Sequence, residues 1–313
     1  AASDVYKRQL VDGTTIDYLP AQRLALPVNK DNAIAAGIVK EEDRDLMVDT
    51  VYLNLRRGVL DKSELMVIDL LSNFDWKRPI HFTQVYILQN LGLTDYLQFD
   101  GYSYRLVPIL TPYDRRVGEI GRIDPDVIYP LLMETFRYGN VSDPRVYVDN
   151  FIQYNLMASG AREAFARAAK AFLRRGGAGD RDKAVALLDA GLEKMPPAQI
   201  RYTFSNTFPF LEAYYAAGEM EKGDALLLSY AENLMQYLDY YLAFEGVQGD
   251  MVSGLIDDKL DELGQIYLLA GYAGRRDAVA RLNDYYRTLG ATDEDLLHVD
   301  APGEATDSLL PIP

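Results

Sequence analysis

The side chains best suited to bind a ligand lie close together at Trp76, Lys77, Arg78 and His81. Tryptophan and arginine in one patch are typical of recognition sites, where the ring stacks on a ligand and the cation donates hydrogen bonds. The alternative is that Trp76 anchors the core, because large aromatic side chains bury well wherever they fall. The local pattern does not decide between the two, so these four residues form a candidate polar-ligand site.

No catalytic centre is predicted from the residue patterns. The chain has two histidines, His81 and His298, which are too far apart in the sequence for an HExxH zinc motif. It has no cysteine. The sequence also lacks a GxGxxG motif, a P-loop and a GxSxG nucleophile elbow. Acidic clusters such as Asp257-Asp258 are typical of solvated surfaces, and no spacing singles out a carboxylate pair for sugar chemistry. We therefore expect no catalytic residue, no metal site and no cofactor.

Tyrosine is unusually frequent, with 23 residues in the chain. Tyr214, Tyr240 and Tyr285 lie in segments predicted to be helical. One interpretation is that they pack between helices with the hydroxyl group at the rim. The other is that they line a concave groove for a peptide or a glycan. On the second interpretation these three residues are candidates for a partner-binding groove.

The elements that position the first candidate site are short and mixed in type. Asp61 and Glu64 have the spacing of a capping box. The helix that follows, 65–71, is apolar on almost every side and is expected to be buried. Alternating patterns predict strands, and Asp124-Pro125 predicts a helix start, with Pro130 either kinking that helix or marking its beginning near residue 129. The predicted strands are 15–18, 51–55, 80–83 and 102–107.

From about residue 146 the pattern becomes helical, and a helix–turn–helix unit recurs three times. The repeats are longer and less regular than the ~34 residues of a tetratricopeptide repeat. We predict an α+β fold with a tetratricopeptide-like helical region, divided into a mixed α/β domain at 10–145, a repeat domain at 146–290 and an acidic, disordered tail at 291–313. The predicted helices are 163–174, 182–195, 211–217, 222–242, 260–270 and 277–289.

Composition narrows the classes of partner. The chain has 32 basic and 47 acidic residues, a net charge of −15, which disfavours nucleic acid and anionic membrane surfaces because both need a basic footprint. No apolar run approaches the ~20 residues that span a bilayer. The opening residues Ala1 to Gln9 lack an initiator methionine and read as adapter sequence. The chain is therefore expected to be a fragment of a longer protein.

The block from Lys62 to Phe82 resembles the hallmark block of a bacterial membrane-protein family of unknown function. That family is related to the transmembrane protein O-mannosyltransferases of the GT-C type. The family usually has NWxRPIYF at this point, so Asp75 and His81 depart from its pattern. Further matches run in family order at 91–93, 96–97, 101, 104–108, 136–140, 143–144 and 147–149.

The resemblance implies a parent protein in the inner membrane, with this region on the periplasmic side. The family's sugar-transfer machinery is expected in a preceding multi-spanning part, so no catalytic residue is carried over to this chain. The expected function is that of an accessory domain that binds acceptor or partner protein. The alternatives are a tetratricopeptide-like scaffold for a membrane complex and a glycan-binding module with its own site.

Overall fold

The computed structural model describes residues 21–55, 60–113, 119–153 and 160–296 in full, and the backbone alone of 6–9 and 15–18. The chain divides into two compact units, residues 1–128 and 129–313. The first unit is mixed α/β and the described part of the second is helical, which agrees with the predicted fold class at that level. The sequence-based boundary at residue 145 falls later, because the repeating helical pattern begins only there. Most of the predicted tail, 297–313, lies outside the described residues.

The strands of the first unit form three small antiparallel sheets. The first pairs two hairpin strands, the second pairs strands separated by a helix, and the third has the order β5-β7-β6. Each predicted strand is present, although β5 and β7 are shorter than predicted. The strands are β1 (Tyr6–Gln9), β2 (Thr15–Tyr18), β3 (Arg23–Pro27), β4 (Thr50–Asn54), β5 (His81–Phe82), β6 (Leu97–Phe99) and β7 (Tyr104–Leu106).

Three short helices lie between these strands and a fourth follows the last one: α1 (Lys30–Ala35), α2 (Lys62–Ser72), α3 (Tyr86–Leu91) and α4 (Pro125–Pro130). Asp61 and Glu64 form the predicted capping box at the start of α2, each side chain accepting the other's backbone N–H. Asp124 caps α4 by accepting from the backbone N–H of Asp126. After Pro130 the chain continues as a π-helix to Thr135, so the helix that begins at Pro125 changes type at the proline.

The prediction that α2 is buried on almost every side is wrong. Ile68 and Leu71 lie in the core of the first unit, whereas Leu65, Met66 and Leu70 are exposed. Three apolar side chains on one helical face therefore remain in water. The apolar run alone could not show this, because the exposed face depends on how many elements pack around the helix.

Six α-helices follow the π-helix in the described part of the second unit. They are α5 (Arg162–Arg175), α6 (Asp180–Lys194), α7 (Phe204–Ala216), α8 (Met220–Leu242), α9 (Gly246–Tyr272) and α10 (Arg276–Thr288). Every predicted helix is present, and α9 is much longer than predicted because its first half carries three glycines, which lower helix propensity. Neighbouring helices contact one another along the chain.

Glycine closes the turn within each helix pair. Gly176, Gly218 and Gly274 follow α5, α7 and α9 and have φ angles of +64°, +75° and +66°. Only glycine adopts this left-handed conformation without a steric cost, so it ends a helix readily. The arrangement is compatible with three helix–turn–helix units, and their assignment as tetratricopeptide-like repeats remains a prediction.

Candidate functional site

Trp76 lies in the hydrophobic core of the first unit. Its side chain is 0% exposed, its indole N–H donates to the carbonyl oxygen of Pro27 at 2.8 Å, and its ring packs against Phe74 with 4.7 Å between the centroids. The residue therefore closes the core between the end of β3 and the segment after α2. No face of this ring is free for a ligand to stack on.

The backbone at Trp76 is unusual. Its φ angle is +64°, and no other non-glycine residue in the described ranges has a positive φ. This conformation costs an L-residue roughly 1–2 kcal/mol, so it persists only where the surrounding structure fixes it. Here the fixed points are the buried indole and Asp75, whose carbonyl oxygen accepts from the side-chain amide of Asn32 at 2.9 Å.

A pocket of about 530 Å³ lies beside Trp76. Its charged lining residues are Lys30, Asp31, Arg44 and Asp75. Arg44 pairs with Asp31 at 2.8 Å, and the other two pair with side chains outside the lining, Lys30 with Asp49 and Asp75 with Lys77. The walls therefore present paired charges and amide groups, which suits a neutral polar ligand better than an ion.

Lys77 and Arg78 point to solvent at the edge of this segment. Lys77 donates to Asp75 at 2.6 Å, and this hydrogen bond lowers the pKa of the Asp75 carboxyl. Arg78 is exposed and has no hydrogen-bond or ion-pair partner among the residues that the structure describes. Arg78 is therefore the member of the predicted site whose cation is available to a ligand.

His81 belongs to a different environment. It pairs with Arg105 across β5 and β7, and its Nδ1 lies 3.0 Å from the hydroxyl of Ser103. Arg105 itself donates to the carbonyl oxygen of Gly37 and faces Asp100 at 3.0 Å. Partial burial lowers the pKa of His81, with Asp100 opposing this shift. The structure therefore divides the predicted ligand set between the core, the solvent and the edge of the third sheet.

The three tyrosines of the predicted groove also differ in exposure. Tyr214 is only 2% exposed, and its hydroxyl donates to Asp189 at 2.9 Å. Tyr285 is half-buried and donates to Asp239 on α8 at 3.0 Å, whereas the neighbouring Tyr240 is 61% exposed. Tyr214 therefore packs between α6 and α7, and Tyr240 is the most exposed of the three.

The sequence analysis missed an exposed apolar surface where α8 ends and α9 begins. Val247 and Met251 are 76% and 79% exposed, and Leu255 is also exposed. These residues recur every fourth position and so share one helical face. At the end of α8 and in the turn after it, Tyr240 and Phe244 stack edge to face, with 5.2 Å between the ring centroids. We call these five residues the α8–α9 surface. The i, i+4, i+8 pattern was visible in the sequence, but the predicted helix began only at residue 260.

The described residues contain no group of three or more histidine, aspartate or glutamate side chains arranged to hold a metal ion. In the same ranges no helix combines the length and the apolar character that crossing a bilayer requires. The local geometry therefore singles out the pocket beside Trp76 and the α8–α9 surface as the two features to compare with known proteins.

Residues 2–127 match the model of TMEM260-associated domain 2. The first unit is similar to this domain. The matched range coincides with the unit ending at residue 128, and it includes Trp76 and the pocket beside it. The match supports the link to a membrane glycosyltransferase-like family that the sequence resemblance implied. No curated protein and no solved structure matches the chain.

Proposed function

We propose that this chain is an accessory region of a membrane protein O-glycosyltransferase and that it binds acceptor or partner protein without carrying the catalytic centre. The match of residues 2–127 to TMEM260-associated domain 2 supports the connection to that class of protein. On this proposal the parent lies in the inner membrane and the region faces the periplasm. The sugar-transfer machinery belongs to another part of the parent.

The observation that carries the binding role is the α8–α9 surface. A contiguous patch of large apolar side chains exposed to water is typical of a protein interaction site. Met251 is the most exposed of them on α9. The surface also bears strong negative charge, since residues 239–258 contain acidic side chains and no lysine, arginine or histidine: Asp239, Glu245, Asp250, Asp257 and Asp258. The partner that fits it is a polypeptide segment with basic and apolar residues.

The test uses the full-length parent in its membrane. Met251→Asp should reduce glycosylation of acceptor protein by about tenfold, because it places a charge within the apolar contact, and should leave binding of the sugar donor unchanged. Tyr147→Asp is the matched control, since Tyr147 is also exposed in the second unit and lies outside the α8–α9 surface. Equal glycosylation by Met251→Asp and the parent would contradict the binding role. Sugar transfer by the purified chain alone would contradict the separate location of the catalytic centre.

A tetratricopeptide-like scaffold for a neighbouring membrane protein is the second candidate. The contacts between successive helices favour it, as do the glycines at helix crossings: Gly191 lies against Phe165 and Phe210, and Gly223 lies against Tyr215. In that case Met251→Asp would abolish co-purification of a defined partner while acceptor glycosylation continued. The glycan-binding alternative would place a neutral sugar in the pocket beside Trp76. Binding on a glycan array that is lost in Asp31→Ala would favour it.

A further inference from the structure

A second pocket, of about 400 Å³, lies within the second unit where the turn after the π-helix meets the end of α6. Its volume is in the range of sites for small molecules. Aromatic side chains, a hydroxyl and two cations line it, and no aspartate or glutamate does. The residues that matter for its chemistry are Phe136, Arg137, Tyr138, Ser142 and Lys194. We call this the Arg137–Lys194 pocket.

The two cations have no carboxylate partner in the part of the chain that the structure describes. Arg137 donates to the backbone carbonyl of Glu134 at 2.7 Å, and Lys194 contacts the ring of Tyr138. Elsewhere in the same unit most basic side chains are paired, as Lys170 is with Glu212. The chain carries 47 acidic residues against 32 basic ones, so two unpaired cations facing one cavity stand out as positive potential in an acidic surface.

Both cations are held in position before any ligand arrives. The Lys194 ammonium lies 5.3 Å from the centroid of the Tyr138 ring, within the range of a cation–π contact. The Tyr138 hydroxyl donates to the carbonyl oxygen of Leu132 at 3.0 Å, and its ring packs against Phe165. The hydrogen bond of Arg137 to its own turn restrains the guanidinium. Little side-chain entropy is therefore lost when an anion binds.

The geometry points to the Arg137–Lys194 pocket as a binding site for a small organic phosphate. A phosphate group accepts hydrogen bonds from a guanidinium, an ammonium and the Ser142 hydroxyl together, and arginine matches its oxygens with a fixed fork of donors. The apolar part of the ligand packs against Phe136 and Met133, which complete the lining. This site is independent of the α8–α9 surface.

Calorimetric titration of the intact chain with phenyl phosphate tests the site, with benzyl alcohol and inorganic phosphate as the two partial probes. Phenyl phosphate should bind at least tenfold more tightly than either. Arg137→Gln and Lys194→Gln should each weaken phenyl phosphate binding at least tenfold and should melt at the temperature of the parent chain. Arg145→Gln is the matched control, because Arg145 is exposed, pairs with Asp143 at 2.6 Å and does not line the pocket. It should bind as the parent does.

Three results would overturn the assignment. The first is undetectable binding of phenyl phosphate by a folded chain. The second is equal binding of benzyl alcohol, which would show an apolar cavity without anion recognition. The third is an unchanged affinity in the Arg137→Gln and Lys194→Gln variants, which would place the phosphate elsewhere. Loss of acceptor glycosylation in the parent protein is a separate measurement, so failure of this site and failure of the proposed function are distinguishable.

Discussion

The indole N–H of Trp76 donates to the carbonyl oxygen of Pro27 at 2.8 Å, although the two residues are 49 positions apart in the sequence. Pro27 is the last residue of β3, so this hydrogen bond joins the second sheet to the segment that follows α2. The donor belongs to a fully buried residue, where an unpartnered indole N–H would be costly. The stability of the first unit therefore depends on both the ring and its donor.

Trp76→Ala should lower the free energy of unfolding by about 3–5 kcal/mol, because it removes a buried aromatic ring and leaves a cavity. Trp76→Gly should be less destabilising than Trp76→Ala, against the usual order, because φ is +64° at this position and glycine adopts that conformation without strain. Denaturant unfolding measures both. Tyr86→Ala is the control, since Tyr86 is exposed in the same unit. A glycine variant that unfolds before the alanine variant would contradict the strain argument.

Arg162 is a fully buried cation whose partners are all neutral. Its guanidinium donates to the side chain of Asn206 and to the carbonyl oxygens of Met195 and Ile200, which ties α5 to the loop between α6 and α7. Arg162→Met should therefore cost on the order of 2–4 kcal/mol, because two buried carbonyls lose a donor. Arg276→Met, at an exposed position of α10, should change stability by less than about 0.5 kcal/mol. Equal unfolding midpoints for the two variants would contradict the role of Arg162.

Local sequence patterns predicted the helices and strands better than the packing around them. The capping box of Asp61 and Glu64 was predictable, because its hydrogen bonds join residues three apart. The separation of Trp76 from His81 was not predictable, because the direction of each side chain depends on the backbone conformation. The left-handed turn at Trp76 sends its ring into the core, while His81 follows the pleat of β5, and neither direction can be derived from their spacing in the sequence.

The same limit applies to the second unit. The helices and their glycine turns followed from periodicity and turn chemistry, whereas the burial of Tyr214 follows from its contact with Asp189 on another helix. Met251 is exposed because few other elements pack against the first half of α9. The local sequence pattern cannot show how many elements will pack against a helix. The Arg137–Lys194 pocket joins residues more than fifty positions apart, so only the fold could bring them together.

High pH should destabilise the second unit. Burial raises the pKa of Tyr214, Tyr215 and Tyr230, and the carboxylates that accept from their hydroxyl groups raise it further. Burial also raises the pKa of Tyr286, to about 12. A tyrosine in the unfolded chain loses its proton near pH 10, so the folded state binds more protons above that pH. The stability these tyrosines contribute is fully present below about pH 10 and is lost as the pH rises through their folded values.

The buried cation Arg162 acts in the opposite direction, because burial lowers its pKa to about 10. It is one group against four tyrosines, so the net effect above about pH 10 should be a loss of stability. Denaturant midpoints measured across this range, together with the absorbance of tyrosinate, check the prediction. Tyrosines that ionise near their ordinary pKa without any fall in the unfolding midpoint would contradict it.

Two glycines in long helices should respond in opposite ways to the same substitution. A Cβ at Gly223 of α8 would lie 2.5 Å from Cε1 of Tyr215, whereas a Cβ at Gly254 of α9 would meet nothing within 4 Å. Tyr215 is buried and its hydroxyl donates to Asp224, so its ring cannot move away cheaply. Gly223→Ala should therefore destabilise the protein by about 1–3 kcal/mol through overpacking.

Gly254→Ala should raise the free energy of unfolding by up to about 1 kcal/mol, because alanine is the better helix former and the position is open. Both changes add one methyl group to the interior of a helix, so helix propensity alone predicts the same sign for each. Unfolding curves of the two variants, measured side by side with the parent chain, separate packing from propensity. Stabilisation by Gly223→Ala would mean that α7 and α8 can shift apart at Tyr215, and would remove this close contact as a reason for glycine at position 223.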